Sequence, residues 1–143
     1  MNKLRQLTMI VIIGNWVVGV WHLFLVAKIL VPPNNKVSWT AIILITLGHL
    51  SVLGALWKLA EKWAAVVSLV LFLVALGVGI YEHFLGPGPN NVFRVALGGT
   101  GTLFAVSVYI LVGLELLGCW LAARLLTGRG IHGPHGSLPA HAA

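Results

Sequence analysis

The sequence has no aspartate, and its three glutamates stand against nine lysines and arginines in 143 residues. Only 8% of residues carry charge. A water-soluble domain of this size carries about a quarter, so a soluble globular fold is excluded. A single cysteine, Cys119, excludes a disulfide framework, a CxxC redox motif and a thiolate zinc site, and reads as a small packing residue. No nucleophile–base pair or polar active-site loop is visible, so catalysis by this chain alone is not expected. The run Gly98-Gly99-Thr100-Gly101-Thr102 lacks both the lysine of a phosphate-binding loop and a preceding strand. It reads instead as the start of a helix. The net charge of +6 does not point to nucleic acid, because the cations are spread along an apolar chain with no basic face.

What is present is apolar surface: 59% of residues are hydrophobic and the mean hydropathy is +0.98. It falls into four runs, about residues 7–30, 39–59, 63–85 and 98–123. Each run has the ~20 residues that a helix needs to cross ~30 Å of hydrocarbon, where the backbone must satisfy its own hydrogen bonds. The Pro-Asn loops around Pro32–Asn35 and Pro87–Asn91 are turn chemistry, and the Lys58–Lys62 link is short enough to force antiparallel neighbours. These features predict an all-α integral membrane protein, a four-helix up-down bundle over residues 1–127. A Gly/Pro/His-rich tail follows over 128–143, too rich in Gly and Pro for a core. Met1–Arg5 resembles the start of a signal peptide, but the apolar run that follows is too long and lacks a small-residue cleavage site, so it reads as a retained helix.

Most of the six tryptophans lie near span ends, as interfacial anchors do. Lys3, Arg5, Lys58, Lys62, Arg124 and Arg129 fall on one side, Lys28, Lys36 and Arg94 on the other. That asymmetry predicts both termini in the cytoplasm of a bacterial-type inner or plasma membrane. The segment Val18-Gly19-Val20-Trp21-His22, with Pro33-Asn34-Asn35 after it, resembles Val78-Gly79-Ile80-Tyr81-Glu82-His83 with Pro89-Asn90-Asn91. The pattern suggests a duplicated helical hairpin, balanced against chance recurrence in low-complexity apolar sequence.

Ionisable residues inside a membrane each cost roughly 2.5–3.5 kcal/mol on insertion scales, so each asks for a reason. Asn15 lies ten residues from Arg5, His49 nine before Lys58, and Glu115 nine before Arg124. At about 1.5 Å per residue these three share one level near the midplane. His22, Glu82 and His83 form a second group nearer the opposite face. Three chemistries suit these residues. His22, His49 and His83 are candidate cofactor ligands, with His22 and His83 the best pair for a haem b, in a chain supporting electron transfer. His22, Glu82 and His83 are a candidate set for a copper, zinc or iron ion. Asn15, His49 and Glu115 are a candidate midplane site, in which His49 and Glu115 pair to relay protons, bind a quinone head group or serve a proton-coupled transporter or channel. The plainer alternatives are interhelical hydrogen bonds at the midplane, solvated interfacial side chains at the outer group, and a cofactor-free assembly subunit. The sequence-level expectation is a subunit of a larger membrane complex, or a homo-oligomer, embedded in lipid and supporting redox chemistry. Nucleic acid is not an expected partner.

Overall fold

The computed structural model describes residues 2–30, 39–96 and 98–128. Within them the chain is all-helical: α1 (Lys3–Leu30), α2 (Trp39–Lys58), α3 (Glu61–Ile80) continued by a π-helical turn (Tyr81–Leu85), and α4 (Thr100–Leu126). Three segments, Lys3–Lys28, Glu61–Leu85 and Thr100–Leu126, are long and apolar enough to cross a membrane. The second of the four spans expected corresponds to α2, a 20-residue helix. The tail, with Arg129 and its three histidines, and residues 31–38, with Lys36, lie outside the described residues.

Helix α4 is the hub, packed along both α1 and α3, while α2 leans on α1 and α3. Two apolar clusters hold the helices. At one end Leu4 and Ile12 of α1, Leu56 of α2, Ala64 and Phe72 of α3, and Leu121 and Leu125 of α4 are buried together. At the other end Leu25, Val92, Phe104 and Val108 form a smaller cluster. Between them the interior is polar. The outward faces are apolar too, from Phe24 and Leu50 to Val74 and Leu116, as helices bathed in lipid require.

The helix ends explain the boundaries. Gly98 and Gly99 take positive φ, so the chain reverses there and α4 starts at Thr100, with buried Gly101 tucked against the Ala96 carbonyl. The α2 C-terminus is closed by another helix: the Arg5 guanidinium donates to the Leu56 and Leu59 carbonyls. Asn2 joins the same corner through Glu61, 2.8 Å away at the first turn of α3. A planar fork that donates in two directions at a helix C-terminus satisfies acceptors and complements the helix dipole. Arg5→Ala is therefore expected to lower stability in detergent by about 1–2 kcal/mol, with Arg5→Lys recovering less than half, as read from denaturant melts of the purified variants.

Candidate functional site

The polar interior begins on α1, where Asn15, Gly19 and His22 are spaced by four and three residues and so share one face. His49 reaches it from α2, Gly79 and His83 from α3 and its π-helical turn, and Glu115 from α4. These residues line one cavity of about 170 Å³ with otherwise apolar walls. The midplane group and the nearer-surface histidines thus occupy a single space.

At the midplane, Asn15 stands between His49 and Glu115, in place of the direct pair that the sequence suggests. His49 Nε2 is 3.0 Å from Asn15 Oδ1, and its Nδ1–H donates to the Ile45 carbonyl at 2.6 Å. The Asn15 side chain also faces the Glu115 carboxyl group. Even so, Asn15 Nδ2 and Glu115 Oε2 are both buried without a satisfied hydrogen bond. Asn15 is 3% exposed and Glu115 6%, so the bundle encloses both. Gly79 faces the same carboxylate: a Cβ at that position would lie 3.5 Å from Glu115 Oε2, in van der Waals contact.

Towards the other end, the rings of His22 and His83 meet edge to face with centroids 4.8 Å apart. Phe104 packs against both, at 5.1 and 5.9 Å. Their Nδ1 atoms are engaged, His22 with Ser107 Oγ at 2.8 Å and His83 with the Asn90 carbonyl at 3.0 Å. His83 reaches inward because of the π-helical turn, closed by a Gly86 N–H to Tyr81 carbonyl bond. A π turn accommodates one extra residue in a helix. The segment Gly79–His83 has one residue more than Gly19–His22, and the widened turn lies across that stretch. Asn91, itself buried, satisfies carbonyls at the helix end by donating to Phe84 and Gly86.

Glu82 lies on the exposed side of the turn and does not join the cavity. The set His22–Glu82–His83 is therefore not brought together. Among the described residues no group of three or more His, Cys, Asp or Glu is placed to hold a metal ion. A bis-histidine haem does not fit either. Two imidazoles trans across an iron put their ring centroids about 6.3 Å apart, since each centroid lies about 3.2 Å from a metal bound at ~2.0 Å. The 4.8 Å separation is too short, and about 170 Å³ falls below the ~300–1,000 Å³ of ordinary small-molecule sites.

Ser107, Phe104, the Asn90 carbonyl and Gly79 are parts of the site that the sequence reading missed. Ser107 had a signal, standing about two helical turns before Glu115 and hence near the same face of α4. The others act through backbone or ring contacts and carry no signal of their own. Comparisons with protein-family models, with curated proteins and with solved structures give no match.

Proposed function

We propose that this chain is a four-span, up-down helical bundle that exchanges protons inside the bilayer, serving a proton-coupled transporter or channel. The observation that carries this reading is the row His49–Asn15–Glu115 on one wall of the cavity. An amide offers one acceptor and one donor edge, and turning it over exchanges them. With Oδ1 towards His49, the ring donates from both nitrogens as a cation, and Nδ2 faces an ionised Glu115. With the amide turned over, Nδ2 donates to a neutral His49, and Oδ1 accepts from a protonated Glu115. The two amide orientations thus correspond to the proton on His49 and the proton on Glu115, with no net change of charge in the cavity. About 170 Å³ holds roughly five waters at ~30 Å³ each, enough to lead protons to the pair at His22 and His83.

On this reading both termini face the cytoplasm, following the cation bias, and His22 and His83 stand in related halves of a duplicated hairpin. The test is proton uptake by lipid vesicles that contain the purified protein and a trapped pH dye, driven by a potassium diffusion potential. Wild-type vesicles are expected to change internal pH faster than protein-free ones. Equal rates would overturn the proposal.

The apolar walls and the orphaned donor and acceptor favour one second reading, a quinone head group held between Asn15 and Glu115 in a larger redox complex. It predicts that quinone copurifies with the protein and is lost in Asn15→Leu.

A further inference from the structure

We infer that His22 and His83 form a two-imidazole site for a divalent metal ion of the imidazole-preferring class, with zinc as the reference ion. This inference stands on the geometry of the two rings and does not depend on proton exchange at the midplane.

Ser107 Oγ–H donates to the Phe104 carbonyl at 2.6 Å, so the hydroxyl oxygen can only accept from His22 Nδ1–H. A carbonyl is purely an acceptor, so His83 likewise donates its Nδ1–H, to Asn90. Both rings are thereby fixed with the proton on Nδ1 and the lone pair on Nε2. Neither Nε2 has a hydrogen-bond partner among the described residues. Metal-binding histidines are commonly held this way, one ring nitrogen donating to a carbonyl or hydroxyl and the other bound to the ion.

With both Nε2 atoms turned to one ion at ~2.0 Å, and hence ring centroids about 3.2 Å from it, a 4.8 Å separation corresponds to an N–metal–N angle of about 100°. That lies between the ~90° of a square-planar site and the ~109° of a tetrahedral one. It rules out the linear arrangement favoured by monovalent copper. Phe104 packs against both rings and limits their rotation. The remaining corners belong to water from the cavity. Glu115 does not complete a ligand set with the two rings: among the described residues no group of three or more His, Cys, Asp or Glu is placed to hold a metal ion.

The test is competition for Zn2+ between a chromogenic chelator and the full-length protein in detergent, carrying alanine at His132, His135 and His141 to silence the tail. One equivalent of Zn2+ is expected to be taken up, with two imidazole nitrogens at ~2.0 Å by X-ray absorption. His22→Gln and His83→Gln should each weaken binding by about 100-fold or more. Ser107→Ala, which removes the Nδ1 acceptor but no ligand, should weaken it by about tenfold. His49→Gln and Glu82→Gln should leave it unchanged. Glutamine retains hydrogen-bonding capacity at 22, and circular dichroism checks that each variant remains helical. No uptake by the parent protein, uptake unaffected by both His22→Gln and His83→Gln, or loss in Glu82→Gln would each overturn the site.

Discussion

Glu115→Gln is expected to reduce proton uptake by protein-containing vesicles by about 100-fold, the scale on which positioned acid–base groups act. Glutamine keeps the size of the side chain and its place beside Asn15, but it cannot gain or lose a proton. His49→Ala and Asn15→Leu should give similar losses, because each removes one member of the same row. Stability separates this role from simple helix glue. A carboxyl group that exists to tie helices together should cost stability when replaced by leucine. A buried group with an orphaned oxygen should cost little, or its loss should stabilise the fold, because an unsatisfied polar atom leaves the interior. Glu115→Leu is therefore expected to retain at least wild-type resistance to denaturant while conducting no protons. Destabilisation with proton uptake intact would assign Glu115 to packing.

The largest structural effect is expected at Gly118. It is buried on α4, and a Cβ there would collide with the ring of Phe72, which is 1% exposed on α3. Phe72 is fully enclosed by the apolar cluster at the Arg5 end and cannot swing away without opening it. Gly118→Ala should therefore cost about 1–3 kcal/mol, the usual range for overpacking a tight core, and Gly118→Val should prevent stable packing of α3 against α4. Phe72→Leu in the same chain as Gly118→Ala should restore most of the loss, because it removes the colliding ring. Denaturant melts of the two single variants and the double variant measure the coupling. Additive losses would mean that the two residues do not meet in the folded protein.

Gly118 illustrates how far the residues alone carry the argument. Small residues in apolar runs announce close helix contacts, but they do not say which partner is approached, and Phe72 lies 46 positions away. The same limit applies to the polar residues. Counting from the flanking cations places Asn15, His49 and Glu115 at one depth, since the rise of a helix is regular. Depth says nothing about rotation around the bundle, so the direct His49–Glu115 pair expected from the sequence gives way to one with Asn15 between them. For the adjacent Glu82 and His83, ideal helical geometry allows only one to face the centre, without saying which. The π-helical turn decides it, turning His83 inward and leaving Glu82 exposed.

The helical, membrane-compatible character of the chain and the approximate places of its helices are written in local quantities. These are hydropathy over ~20 residues, turn chemistry at Pro, Gly and Asn, and charge at the helix ends. It takes the packed bundle to join the two polar groups in one cavity and to orient the histidines through Ser107, Phe104 and the Asn90 carbonyl. The same packing sets the rings of His22 and His83 too close together for a haem. These outcomes depend on the rotation of each helix about its own axis. Contacts between helices, such as Phe72 against Gly118, set that rotation, and no single segment encodes it.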